Sequence, residues 1–211
     1  MTDESRAVFL ETLDEYVKSE ADETLPAADL PAAARKRAGR PDRGGMRAEE
    51  VRFALAEAFE AAGRVITPEA ITRAANSSAG YPYLIRLIAH YLWRVKKDLI
   101  DVTETDKAIF LAKIELFKNI HDPLFWGLSS KDRFFLWAMS KDEFDSEFGE
   151  IAKRMGVSTG YASKYRERLL NVELIYASAY GRLAFTLPYM REYVGKEYIE
   201  RFGGEGGKER E

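Results

Sequence analysis

Apolar residues recur at helical spacing along most of the chain, and the period shortens to two only towards its end. In residues 5–19, Phe9, Leu13, Tyr16 and Val17 fall on one side of a helix. The run VFLETLDEYV within it ends in acids like a Walker B strand, but Glu11 and Thr12 interrupt it where a central parallel strand is apolar throughout. A helix is the better reading. Residues 20–45 lose all periodicity. Pro26, Pro31 and Pro41, an alanine run and the basic string Arg35-Lys36-Arg37 suit a flexible linker.

Regular helices follow. Residues 49–62 align Val51, Leu55, Phe59 and Ala62 and stop at Gly63. Thr67-Pro68-Glu69 is a start signal: a threonine cap, proline in the first turn and an acid beside it. That helix carries Ile71, Ala74 and Ala75 and stops at Gly80. Tyr81-Pro82 opens another, whose Leu84, Ile85, Ile88, Tyr91, Leu92 and Val95 cover so much of its surface that it belongs at the centre of a bundle. Thr103-x-x-Asp106 is expected to cap a fourth helix with Ile109, Phe110, Ile114 and Phe117 inside. Asp122-Pro123 then breaks the chain.

Residues 148–187 change pattern. Ile151, Ala152 and Met155 share a helical face, Gly156 supplies the left-handed stop, and Ser158 or Thr159 caps a second helix that turns Ala162, Tyr165 and Leu169 inward. Beyond Asn171 the period is two, and residues 174–178 and 183–187 flank the turn Ala179-Tyr180-Gly181-Arg182. With residues 129–139, capped by Ser129-x-x-Asp132, as first helix, this is the order of a winged helix-turn-helix. The expected fold is mainly α: an N-terminal helix and flexible linker (1–45), a helical bundle (46–121), a winged helix with a small β-hairpin (122–202) and a disordered tail (203–211).

Composition narrows the chemistry. The 211 residues carry a net charge of −3, so affinity for a polyanion must come from a local patch. There is no cysteine, and the two histidines, His90 and His121, lie far apart, which excludes thiolate sites and argues against zinc. The absence of a long apolar run and of a basic, apolar leader leads us to expect a cytoplasmic protein without a membrane partner. Gly206-Gly207-Lys208 is the one approach to a phosphate loop, but Phe202 stands where the first glycine is due and Glu209 where Ser or Thr is. No nucleophile elbow is present, His90 reads as a surface histidine, and Asp142, Glu143, Asp145, Glu147 and Glu150 lack calcium-loop spacing. No catalytic residue, metal ligand or cofactor is expected, and the chain is not expected to be an enzyme.

Around Gly80-Tyr81-Pro82, the stretch ITPEAITRAANSSAGYPYLIRLIAHYLWR resembles the helical lid of the archaeal-type AAA+/STAND ATPase family. GRLAFTLPYMREYV is similar to the close of the winged helix that follows this lid in many members. The resemblance covers about residues 47–200. It implies that Gly80 and Pro82 lie near a bound nucleotide and that Arg86 is a candidate phosphate-facing cation. The family's P-loop core is missing from this sequence, so ATP enters only if such a core is supplied from elsewhere.

Two functions follow from these observations. The first is a non-catalytic, DNA-binding and regulatory module. Residues 153–182 hold Lys153, Arg154, Lys164, Arg166, Arg168 and Arg182 against Glu167 and Glu173, a local charge of +4. Ser158, Thr159, Tyr161, Lys164 and Arg168 on the second helix and Arg182 on the wing would meet double-stranded DNA. The second is a protein-docking module on an ATPase core or another partner, using Tyr176, Tyr180 and Tyr189. Salt separates them, because phosphate contacts weaken steeply with ionic strength and an apolar dock does not.

Overall fold

A computed structural model describes residues 45–202. The expected helix and linker before residue 45 and the tail 203–211 lie outside the described residues. The fold is mainly helical, with a two-stranded parallel pair and a three-stranded antiparallel sheet. Two compact units divide between Asn119 and Ile120. Among the described residues no helix is long and apolar enough to cross a membrane.

The first unit begins with α1 (Ala48–Ala61), which buries Val51, Ala54, Leu55 and Phe59. Strand β1 (Val65–Ile66) leads into α2 (Pro68–Ser77), where the Thr67 hydroxyl accepts the Ala70 N–H at 3.2 Å, the cap its sequence announces. Helix α3 (Pro82–Trp93) buries seven of its twelve residues and is the centre of the unit. Strand β2 (Leu99–Ile100) runs parallel to β1, pairing Val65 with Leu99 and Ile66 with Ile100. These two-residue strands are too short to carry a periodic signal, and sequence reading missed them.

Helix α4 (Val102–Leu116) differs from expectation at both its start and its face. Its cap is Asp101, whose carboxylate accepts the N–H groups of Thr103 and Glu104; Asp106 instead pairs with Arg73 at 2.8 Å. Its buried positions are Glu104, Thr105, Ala108, Ala112 and Leu116, while Phe110 and Ile114, expected inside, are 64% and 48% exposed. The bulky α3 accounts for this. A helix that is already apolar nearly all round is approached most closely by a face of alanines, and Phe110 and Ile114 turn away.

The Asp122-Pro123 break is also replaced by something else. A π-helical turn, Phe117–His121, runs directly into α5 (Asp122–Trp126), with proline in the first turn of the new helix. Proline has no N–H for a continuing helical hydrogen bond, and the widened turn before it lets the chain stay helical.

In the second unit, α6 (Ser130–Ser140) is capped by Ser129 and buries Phe134, Phe135, Leu136, Trp137, Ala138 and Met139. Helix α9 (Met190–Phe202) packs on it through Met190, Tyr193, Val194 and Tyr198, with Phe134, Trp137 and Tyr198 stacked at 5.2–5.9 Å. Between them come β3 (Ser146–Glu147), α7 (Phe148–Arg154), α8 (Thr159–Asn171), β4 (Ile175–Ala179) and β5 (Arg182–Phe185). The sheet order is β3-β5-β4, antiparallel throughout, with an irregularity between Ala177 and Ala179. Gly156 stops α7 at φ +66, and the Ser158 hydroxyl caps α8 by accepting the Tyr161 N–H. Helix, strand, two helices and hairpin follow in the order anticipated for a winged helix.

Candidate functional site

The outward face of α8 is set by what the helix buries. Ala162, Tyr165 and Leu169 point into the unit, which leaves Ser158, Thr159, Tyr161, Lys164 and Arg168 outside. Ser158 is already engaged as the cap. Tyr161 and Lys164 form a compact group with the buried Tyr165. The Lys164 ammonium lies 3.8 Å from the Tyr161 ring centre and 4.9 Å from that of Tyr165, and the Tyr165 hydroxyl donates to Tyr161 at 3.1 Å. The Tyr161 hydroxyl beside it raises the pKa of Lys164, so this cation is firmly charged.

Arg168 lies on the exposed face as expected, but its charge is engaged. Its guanidinium reaches Asp132 on α6 at 2.7 and 2.8 Å, and Asp132 is only 5% exposed. Its role is to hold α8 against α6 by neutralising a buried carboxylate. Arg182 is not at the wing tip. The tip is Tyr180-Gly181, with Tyr180 fully exposed, while Arg182 opens β5 and donates to Asp145 at 2.8 Å. Ser178 donates to the same carboxylate at 2.7 Å, and the Arg182 guanidinium and Ser178 hydroxyl together hold the Asp145 pKa down to about 2.

The same pairing runs through the whole basic segment. Arg154 binds Asp142 through two 2.6 Å hydrogen bonds and lowers its pKa, and Lys153 lies 3.4 Å from Glu150. Four of the six basic residues thus meet Asp132, Asp142, Asp145 and Glu150, all outside residues 153–182, and these four acids offset the local charge of +4. Residues 120–202 together contain 12 basic and 12 acidic residues, a net charge of zero. Asp142, Asp145 and Glu150 were visible in the sequence as an acidic stretch, and Asp132 as part of a helix cap. What was not visible was that the chain folds them back onto the bases. Among the six, Lys164 and Arg166 have no acidic partner among the described residues; both lie over aromatic rings, Arg166 at 5.0 Å from the Phe148 ring centre. Tyr176 and Tyr189 are half-buried, so Tyr180 is the one exposed ring of the three tyrosines expected to dock.

These contacts separate two residues that look alike in sequence. Lys164→Ala should change stability by no more than about 0.5 kcal/mol, as exposed helix substitutions do. Arg168→Ala leaves Asp132 buried without its cation; breaking a buried pair costs about 3–5 kcal/mol, and the half-exposed arginine reduces that to about 2. Urea unfolding of both variants measures the difference, and equal values would mean the Asp132 pair does not hold the helices together.

In the first unit, Gly80 and Pro82 sit where α3 begins, with Pro82 in its first turn. Gly80 has φ +68, and its open side is taken by the chain itself: the Met46 N–H donates to the Gly80 carbonyl at 3.0 Å, and a Cβ on Gly80 would run into the Met46 carbonyl. Arg86, one turn into α3, is half-buried, and its Nε lies inside without a hydrogen bond among the described residues. His90 is half-buried, and burial, then the nearby Arg94, lowers its pKa.

A family model described as a domain of unknown function, DUF8462, matches residues 118–194, which covers most of the second unit. No curated protein matches the sequence. Two structures of RuvB mutants from Thermotoga maritima are similar at 19% identity and a TM-score of 0.32, covering 74% of this chain and 48% and 49% of theirs. The chain therefore spans about half the length of the RuvB structures it resembles, and likeness at this level carries no functional argument.

Proposed function

We propose that the chain is a non-catalytic docking and regulatory module, the lid and winged-helix portion of an AAA+/STAND-type ATPase, and that its second unit engages a protein, the ATPase core or another partner, in preference to DNA. Nucleotide would be handled by that core and not by this chain. The observation that carries the choice is the internal neutralisation of the basic segment. A winged helix that grips duplex DNA needs cations free to replace counterions along the phosphates, because that electrostatic term supplies most of the affinity. Here Arg154, Arg168 and Arg182 are held by carboxylates, while Tyr180 and Tyr161, the latter beneath Lys164, are exposed aromatic groups. Aromatic groups on a charge-balanced surface suit a protein interface.

Fluorescence anisotropy with a labelled 20-base-pair duplex tests this. The expected result at low salt is no binding tighter than about 0.1 mM, the weak end of non-specific DNA affinity. Tighter binding whose log-affinity falls with log-salt at a slope of about −3 or steeper, the mark of three or more phosphate contacts, would return the winged helix to DNA.

A further inference from the structure

The corner between α7 and α8 and the start of α6 border an open pocket of about 390 Å³, within the range of small-ligand sites. Its lining is Lys131, Phe134, Met155, Val157, Ser158 and Tyr161. Phe134 and Met155 form an apolar floor, and both are largely hidden by their own unit. Methionine is unbranched and polarisable, so this floor can adapt to ligands of differing shape. The polar residues of the lining are Lys131, Ser158 and Tyr161.

The lining differs from the rest of the unit in one respect. Where Arg154, Arg168 and Arg182 each have an acid, Lys131 has none among the described residues, and no acid lines the pocket. Lys164 adds a second cation above Tyr161, and Lys131 is near enough to help lower the Tyr161 pKa. An apolar floor under an uncompensated ammonium selects for one chemistry. A neutral apolar molecule would leave the cation without a counter-charge. An inorganic anion would leave Phe134 and Met155 uncovered.

We propose that this pocket binds a small apolar carboxylate, its aryl or alkyl body against Phe134, Met155 and Val157 and its carboxylate at Lys131. The carboxylate is either a free molecule or the C-terminal residue of a polypeptide. Because the walls are the helix-turn-helix corner and Tyr161, an occupant is felt at the outward face of α8. The site stands whether that face meets protein or DNA.

The test is a titration of the full chain, labelled with nitrogen-15, using 3-phenylpropionate, its neutral amide, inorganic phosphate, and a Gly-Gly-Gly-Phe peptide with free or amidated C-terminus. A Kd of about 1 mM is expected for 3-phenylpropionate, ordinary for a ligand of that size. The amide signals of Val157, Ser158 and Tyr161 should shift. The neutral amide and phosphate should bind at least about tenfold more weakly, as should 3-phenylpropionate to Lys131→Glu, where one charge contact is lost. Lys131 is exposed, so that variant folds as the parent does. Val157→Phe, which fills the pocket from its half-exposed wall, should also abolish the shifts. Tighter binding of the free-terminus peptide than of 3-phenylpropionate assigns the site to a polypeptide end, and the reverse assigns it to a free metabolite. Absence of shifts at 20 mM (about twenty times the expected Kd), equal binding of the neutral amide, or indifference to Lys131→Glu would each overturn the proposal.

Discussion

Replacing Gly80 with alanine should destabilise the first unit by about 3 kcal/mol, whereas the same change at Gly63 should cost about 1 kcal/mol. Both glycines are left-handed, at φ +68 and +66, so both pay the strain of a Cβ in that region, about 1–2 kcal/mol. They differ in what lies beyond the Cα. Nothing stands within 4 Å of a Cβ built on Gly63, while one on Gly80 meets the carbonyl of Met46 and lies 3.2 Å from its carbon. Backbone cannot rotate away as a side chain does. Relief requires lifting Met46 off, which breaks the hydrogen bond from its N–H to the Gly80 carbonyl, worth about 1 kcal/mol. Hydrogen exchange of the α2 and α3 amides reads the loss in this unit alone. Equal effects at the two glycines would show that the approach of Met46 has no energetic weight. The prediction bears on function because the resemblance to AAA+/STAND lids gives Gly80 a place beside nucleotide, whereas the close approach of Met46 requires glycine with no ligand at all.

Local chemistry made much of this fold legible. Thr67, Ser129 and Ser158 each cap the helix their spacing announced, and Gly156 takes the left-handed stop that a helix-turn-helix corner requires. These features depend on a residue and its neighbours three or four positions away. The failures depend on distant partners. Which face of α4 is buried was decided by the girth of α3, so Ala108 and Ala112 displaced Phe110 and Ile114 from the interior. Arg168 and Arg182 had the periodicity of exposed residues and are indeed partly exposed, but their guanidinium groups answer to Asp132 and Asp145, 36 and 37 positions away. A count of charges along a segment cannot register such pairs. It registered the excess of +4 in residues 153–182 but not the four acids elsewhere that offset it. The cap residue Ser158 and the exposed Tyr161 and Lys164 were placed correctly. Their shared pocket with Lys131 and Phe134 was not foreseeable, because it joins the start of α6 to a corner some 25 residues on.

Acidification should weaken the second unit well before its carboxylates titrate, through His121. The imidazole is fully buried, its ring centre 5.3 Å from that of Tyr193, and burial pushes its pKa down to about 3. The folded pKa lies below the ordinary 6.5, so the neutral ring contributes stability that is fully present above pH 6.5 and is lost as pH falls towards 3. The slope is about 1.4 kcal/mol per pH unit, and the loss between pH 6.5 and 4 about 3 kcal/mol. The neighbouring groups do not mimic it. Asp142 and Asp145, held down by Arg154 and Arg182, lose their contribution only below their ordinary 3.8, and Glu197, raised by burial, acts in the opposite direction. His90 is also depressed, but it belongs to the first unit. Hydrogen exchange of α6 and α9 amides between pH 7 and 4, corrected for intrinsic rates, isolates the second unit. His121→Leu should flatten the pH dependence whatever it does to absolute stability, because leucine has no proton to gain. If the variant and the parent lose stability with the same slope, the buried imidazole is not the acid-sensitive element, and the loss belongs to the carboxylates instead.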